Sequence, residues 1–366
     1  MKARAWQIFN FLRRGITPAG ILCIMLGILG CVAIYNATFH LPHPFKYVTK
    51  QLIWLGPAFL VLITTSATPP RVHKSWGLYI SGFLYLTLWA VLVLGVRVNG
   101  MRGWFAWHGI FMQPSELGKP AFVLLLAVLI AKLRQQQFTL LHEFLGCLAF
   151  LGAWVLPIAL QPDFGTLMVY IFAFAATYVC TGGRIRYLMA GAVGALPLIG
   201  LSIMIKPYIF DRICAFLHPS DHLNDAAWHI RQFQVTLASG GLFGRSWGGG
   251  VWTQNYLPFG YSDSVFATVG EAIGFVGLMP FIVFILAYVL YAYRRIQHTT
   301  GEVRILVIYG AVFMLTGQAF FHLSVNLGIF PPTGLPLPLI SYGGSSLVAT
   351  LALVGLVESM SRIDNY

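Results

Sequence analysis

What this sequence has least of is charge. Only 9% of its 366 residues are Asp, Glu, Lys or Arg, while 58% are hydrophobic; an ordinary soluble domain carries about 25% charge. A chain so poor in charge cannot present most of its surface to water. Cysteine is also scarce. Of the five, Cys23, Cys31, Cys147 and Cys180 fall within apolar runs and only Cys214 lies outside them, which excludes a disulfide framework and any zinc-ligand spacing. Low-complexity tracts and internal repeats are absent, so the inverted halves common in secondary transporters are not visible. Acids are rarer than bases, 11 against 23.

What is there is a succession of apolar runs, each of about 20 residues and long enough to cross a hydrocarbon core. They lie near residues 18–38, 48–66, 76–97, 113–133, 143–160, 164–181, 187–206, 264–293, 304–327 and 340–361. The expected fold class is an all-α, polytopic integral membrane protein with about ten transmembrane helices in one domain over 1–366. Only the breakers Pro162 and Asp163 separate the fifth and sixth spans, so nine is the alternative count. One large extracytoplasmic loop, 207–262, is expected between the seventh and eighth spans. Fourteen of the Lys and Arg residues fall inside and eight outside when the N-terminus is placed in the cytoplasm, with Lys119 within a span. The positive-inside rule then puts both termini in the cytoplasm. The basic first 17 residues run into a full-length span without a small-residue cleavage pattern, which reads as an uncleaved first helix. The net charge of +12 is accounted for by topology and by attraction to anionic membrane lipids, and nucleic acid is not a predicted partner.

With so few acids, each can be weighed, because an ionisable group in a span is costly and points to function. Four polar motifs open inward-running spans and so share the outer leaflet. In QPSELGKP, Gln113, Glu116 and Lys119 recur every three residues on one helical face, beside Ser115; a structural ion pair and substrate binding weigh equally there. In QPDFGT, Asp163 is placed to cap a helix. In LPFGYSDSVFATVGEAIGF, Asp263 stands at a span mouth with Glu271 two turns deeper, and a cap is again the plain alternative. In PPTGLPLPLISYGGSS, prolines and glycines break the helix and leave amides to hold an anionic group such as pyrophosphate; a tight re-entrant turn is the other reading. Within the outer loop, AAWHIRQFQVTLASGGLFG reads as an amphipathic helix ended by Gly240 and Gly241. His229 and His322 read as packing residues, and Trp104, Trp107, Trp247 and Trp252 as an interfacial belt.

Taken in order, NGMRGWF, QPSELGKP, QPDFGT, RICAFLHP, SGGLFG, the SDSVF to GEAIGF stretch and TGLPLPLISYGGSS resemble the SEDS family of bacterial cell-wall synthesis, which includes RodA, FtsW and SpoVE. The resemblance spans nearly the whole chain and leans towards RodA. It implies ten transmembrane helices in the bacterial cytoplasmic membrane and a peptidoglycan glycosyltransferase that polymerises lipid II for elongation and cell shape. It also implies a class B penicillin-binding protein as crosslinking partner, with other elongation or division machinery. By the same resemblance Asp263 is the general base. Glu116, Lys119, Asp163, Gln113 and Ser115 organise the cavity and the pyrophosphate with Ser341, Gly343, Gly344, Ser345 and Ser346, while Glu271 and Arg212 are accessory. A divalent cation, magnesium or manganese, beside the pyrophosphate is chemically reasonable, although no ligand cluster spells one out.

This chain departs from the family around the aspartate. Tyr261, Ser262, Ser264 and Val265 replace the usual His or Glu, Thr, Phe and Ile, and Ala272 replaces a second acid. Trp228, His229, Gln232 and Phe233 stand where Tyr-Gln and Gln-Ser are typical. Those departures motivate a non-catalytic scaffold as an alternative. The pair Glu116 and Lys119 motivates a lipid flippase or transporter, and an FtsW-like septal polymerase is the nearest alternative to the elongation role.

Overall fold

The computed structural model of the chain describes residues 15–98, 100–205, 214, 216–217 and 225–362. Helix α1 (Pro18–Thr38) starts where the Thr17 hydroxyl accepts from Gly20 N at 3.1 Å, with proline at the first helical position, where no amide hydrogen bond is lost. Two further helices, α2 (Phe45–Ala67) and α3 (Pro70–Leu94), follow. The chain then forms three short strands, β1 (Val96–Val98), β2 (Met101–Trp107) and β3 (Ile110–Met112), before α4 (Pro114–Gln135), α5 (Leu140–Leu160), α6 (Phe164–Cys180) and α7 (Ile185–Ile205). The outer segment contributes α8 (Asp225–Ser239) and the single-turn α9 (Val251–Asn255), and α10 (Val265–Gln297), α11 (Glu302–Asn326) and α12 (Gly344–Met360) complete the chain.

Two expectations about the fold are corrected. Among the described residues, six helices rather than about ten are long and apolar enough to cross a membrane: α1, α2, α3, α5, α10 and α11. Helices α6 and α12 are apolar but only 17 residues long. Helix α4 carries Glu116, Lys119, Lys132 and Arg134 in its 22 residues. The apolar runs read from sequence therefore overcounted the spans, because two of the helices they become are too short and a third carries four charged side chains. The chain is also not all-α. The strands form an antiparallel sheet in the order β1-β2-β3, pairing Val98 with Met101 and Trp107 with Ile110. Gly100 and Gly109, at φ +80° and +79°, make both tight turns possible.

Burial sorts the helices. In α12 every residue except Val348 is buried, and the helix packs against α2, α11, α4 and α1. Helix α10 is the opposite case, with Val283, Leu286 and Leu290 about 60% exposed along its flank. Such residues are stable only against lipid, so the protein is a multi-pass membrane protein.

Helix α10 is broken at Gly274, which adopts φ 69° and ψ −175°. The SGGLFG segment fills the break: Phe275 N donates to Gly241 O at 3.0 Å and Val276 N to Leu242 O at 3.1 Å. In return, Arg245 N donates to Glu271 O at 2.9 Å and Ser246 N to Ala272 O at 3.1 Å. Side chains at Gly240 or Gly244 would strike the α10 backbone, so the glycines permit the approach. The amphipathic helix expected in the outer loop is α8, ending at Ser239 before those glycines. At the far end of the bundle, Arg134 bridges Glu143 at 2.9 Å and Glu302 at 3.0 Å, tying α4, α5 and α11 together.

Candidate active site

The sequence QPSELGKP opens α4 with proline at its first position and Glu116 in the first turn, where a carboxylate faces the positive end of the helix. Helical spacing then brings Lys119 Nζ to Glu116 Oε1 at 2.5 Å, and both side chains are buried. Lys119 also donates to Gln318 Oε1 of α11 at 2.6 Å. Gln318 turns its amide to Pro336 O at 2.8 Å and Ser346 Oγ at 3.0 Å. One chain of polar contacts thus joins α4, α11, the 330–343 segment and α12.

Asp163 sits at the same level. Its Oδ1 accepts from Thr166 N at 3.2 Å, the cap expected from sequence, and its Oδ2 accepts from Gln113 Nε2 at 2.9 Å and Ser115 Oγ at 3.1 Å. The carboxylate is a cap and an α4–α6 fastener at once. Burial raises its pKa, partly offset by the hydrogen bonds from Thr166 and Ser115. Gln113 N donates to Ser345 Oγ at 2.9 Å, which brings the start of α12 into the network.

Asp263 lies in the turn before α10, and the helix cap is Ser264, so this acid is not a cap. Its main chain is held from behind: Asn326 Nδ2 donates to Asp263 O at 3.1 Å, while Asn326 Oδ1 accepts from Ala267 N at 3.2 Å in the first turn of α10. Ser341 Oγ donates to the neighbouring Ser262 O at 2.6 Å. The side chain is half-buried and faces Gly334, where an added Cβ would stand 3.5 Å from Asp263 Oδ2. Gly334 has φ +68°, a conformation that leaves no room for a side chain without strain. Burial pushes the Asp263 carboxyl up to about 6, with the Ser262 hydroxyl pulling it back. Tyr261, next in the turn, stacks on Tyr47 at 4.2 Å between centroids and stands edge-on to Tyr342 at 5.8 Å, forming an aromatic wall.

In the 341–346 segment one amide and the three hydroxyls meet protein partners. Gly343 N donates to Gln51 Oε1 at 3.2 Å, and Gly344 is pressed against the Trp54 ring. The Ser341, Ser345 and Ser346 hydroxyls all bond to protein partners. Glu271 is completely buried: Oε1 accepts from Ser239 Oγ at 3.0 Å and Trp252 N at 3.1 Å, and Oε2 accepts from Thr253 N at 2.8 Å and Thr253 Oγ1 at 2.6 Å. It caps α9 and clamps the outer segment to α10. Arg212 lies outside the described residues. His229 packs among the rings of Trp228, Phe233 and Phe259.

Among the described residues no group of three or more His, Cys, Asp and Glu side chains gathers as an ion cage. Asp163 is already occupied by three donors and Glu116 Oε1 by Lys119, and Glu116 Oε2, buried without a partner, is a single oxygen with no second acid gathered beside it, so this set does not fit a cation held by the protein itself.

Sequence reasoning missed Gln318 and Asn326 and gave His322 a packing role only. The three recur every four residues of α11 and are all buried, forming a polar stripe from Lys119 to the Asp263 turn. Weighing acids alone passed over them; polar side chains at helical spacing within an apolar span were the available signal.

Residues 18–366 match the family described as cell cycle protein, FtsW/RodA/SpoVE. The chain is 30% identical over 323 residues to the probable peptidoglycan glycosyltransferase FtsW of Coxiella burnetii, covering 86% of each. It superposes on a chain from a peptidoglycan synthase complex, solved for its coordination of polymerization and crosslinking, with TM-score 0.72 and 27% identity, over 93% of this chain and 96% of that one. The crystal structure of the rod shape determining protein RodA of Thermus thermophilus gives TM-score 0.67 and 26% identity, over 93% and 95%. A buried polar network beneath one carboxylate, on a multi-pass scaffold that shares its fold with RodA and its sequence with FtsW, leads to one assignment: the chain belongs to the FtsW/RodA/SpoVE family of peptidoglycan glycosyltransferases.

Proposed function

We propose that this chain polymerises lipid II at the outer face of the bacterial cytoplasmic membrane, with Asp263 as general base. The observation that carries the reading is the contrast between Asp263 and the acids near it: its carboxylate is half-buried and caps nothing, and burial pushes it up to about 6. A base poised near neutrality is suited to taking the proton of an acceptor sugar hydroxyl. As that proton moves to Asp263, the hydroxyl oxygen bonds to the anomeric carbon of the donor. The bond from that carbon to the pyrophosphate breaks, and polyprenyl pyrophosphate leaves. Glu116, Lys119, Asp163, Gln113 and Ser115, with the Ser341–Ser346 segment, shape the cavity from beneath. Lys119 is buried and donates to Glu116 and Gln318, which supports an organising role rather than direct contact with the leaving group.

The N-terminus lies in the cytoplasm, which the Lys and Arg distribution supports. A class B penicillin-binding protein crosslinks the product; the likeness to a synthase complex that couples polymerization and crosslinking supports this partner. Between the two cellular roles, septal synthesis is the better supported, since the curated relatives, including those of Coxiella burnetii and Alcanivorax borkumensis, carry the name FtsW. The elongation role rests on the likeness to the Thermus thermophilus RodA. Depletion in the source cell separates them: filaments follow loss of a septal polymerase and rounded cells follow loss of an elongation polymerase.

The activity is tested with the full chain purified beside its cognate penicillin-binding protein, crosslinking blocked, and supplied with lipid II. Asp263→Ala is expected to lower polymer formation by about 10²–10⁴-fold, the span attributed to a positioned general base. Equal polymer from both proteins would sink the role of Asp263. No polymer from the intact wild-type complex would favour the scaffold or transport readings.

A further inference from the structure

The sheet that precedes α4 gathers charge of one sign. Arg97 of β1 stands directly opposite Arg102 of β2, and residues paired in register turn their side chains to the same face. On α2, Lys46 and Lys50 are four residues apart and share a helical face. Lys50 Nζ reaches the sheet, donating to Gly109 O at 3.2 Å in the turn between β2 and β3. Like charges so placed destabilise a helix and a strand pair alike. No acid nearby in sequence relieves them, since residues 1–115 contain neither Asp nor Glu. Nor does a distant one: the ion pairs among the described residues involve none of the four cations. Arg102 donates to Leu92 O at 3.1 Å at the end of α3, whereas Lys46 and Arg97 are exposed. Lys and Arg are disfavoured on the outer side of a membrane, yet these are four of the eight that the topology places there. Beside the cations the sheet is apolar. Trp107, 74% exposed, lies opposite the exposed Ile110, and Phe111 is exposed next to it. Val93 and Leu94, which end α3 just before β1, are exposed as fully as Trp107, as suits side chains bathed in lipid.

We infer that the β1–β3 sheet and the first turns of α2 form an interfacial anchor that binds the anionic headgroups of membrane phospholipids. Charge selects the ligand: four cations without a carboxylate among them are stabilised by phosphate, and each Lys or Arg near an anionic surface adds attraction. The apolar side chains select its setting. Trp107 and Ile110 continue the lipid-exposed end of α3, and an indole at the level of the headgroups is in its preferred environment. The anchor lies on the same side of the bundle as the polar network, because β3 runs directly into Gln113, which donates to Asp163. Lipid charge thereby supplies the counterions that the protein lacks there. The inference does not depend on the polymerase reading.

The test uses the full chain, with and without its penicillin-binding partner, labelled with a polarity-sensitive fluorophore through Ala106→Cys at an exposed position of β2. Cys180→Ser and Cys214→Ser remove the accessible thiols, the other three being buried. The protein is placed, without lipid II, in phosphatidylcholine nanodiscs of increasing phosphatidylglycerol content, whose acyl chains are brominated near the headgroup to quench the label. Quenching is expected to rise with phosphatidylglycerol. Lys46→Gln and Arg97→Gln should each raise the phosphatidylglycerol fraction at half-maximal change about fivefold, the factor for one cation at an anionic surface. Arg97→Lys, which keeps the charge, should match the parent, and Trp107→Ser should lower quenching at every composition. Quenching that ignores phosphatidylglycerol, or that Arg97→Gln leaves unchanged, overturns the headgroup site. A label never quenched overturns the anchor. Quenching seen only without the penicillin-binding partner overturns it in favour of a protein interface. A change produced by added lipid II in pure phosphatidylcholine, with none from phosphatidylglycerol, overturns it in favour of the substrate's pyrophosphate.

Discussion

Asp163 and Asp263 make the most instructive comparison in the molecule. Both stand at the mouth of a helix and both border the 333–335 segment, since an added Cβ at Gly165 would lie 2.8 Å from Thr333 O and one at Gly334 would lie 3.5 Å from Asp263. Asp163 accepts three hydrogen bonds and fastens α6 to α4. Asp263 is held through its main-chain carbonyl by Asn326, and its half-buried carboxylate faces Gly334 with only the adjacent Ser262 hydroxyl beside it. On the proposed reading the first serves stability and the second chemistry. Completed polar networks rigidify a core, whereas a carboxylate that is desolvated and under-satisfied is available to a substrate.

The comparison can be broken most forcefully on its structural side. Lys119→Met leaves Glu116 buried without its cation, and removal of one partner from a buried pair is expected to cost about 3–5 kcal/mol. Melting of the detergent-purified protein would read this, and Lys119→Met combined with Glu116→Gln should regain a large part of the loss. If Lys119→Met melts with the wild type, the pair does not support the bundle. A smaller effect is expected for Asp163→Asn, about 1–3 kcal/mol, because its amide would face the donors Gln113 and Ser115 while the cap to Thr166 survives. The same variant should retain polymerase activity below its melting temperature; loss of activity in a stable Asp163→Asn protein would place Asp163 in the chemistry and erase the distinction.

The smallest effect is the most diagnostic of Asp263. A base must be deprotonated, and its carboxyl titrates at about 6, so activity should be near its plateau above pH 7 and fall as pH drops through 6. One pH unit below the midpoint the active fraction is about a tenth, so the rate should fall about tenfold per unit at lower pH. A flat rate between pH 5 and 7 would remove Asp263 as the base.

Much of this was legible along the chain because it depends on neighbours in sequence. The three-residue spacing of Glu116 and Lys119 yields their ion pair wherever α4 forms. Asp163 caps α6 for an equally local reason, and Gly240 and Gly241 end α8. The count of spans was not legible, since where α6 and α12 begin and end, and so their 17-residue length, is set by the turns and partners at their ends rather than by the apolar run itself. Nor were the partners of the 341–346 segment, where Gln51 meets the Gly343 amide, and Gln113 and Gln318 meet the Ser345 and Ser346 hydroxyls.

The sequence alone determined that this protein lives in lipid, which residues pair within a helix, and where helices start and stop, because hydropathy and capping act over a few residues. Tertiary structure alone decided which carboxylate would be satisfied and which left open. Asp163 and Asp263 both stand at a helix mouth, and beyond the local cap of Asp163 their difference comes from Gln113 and Ser115 reaching one, and from Asn326 and Gly334 framing the other, across separations of 48 to 71 residues that local rules do not see.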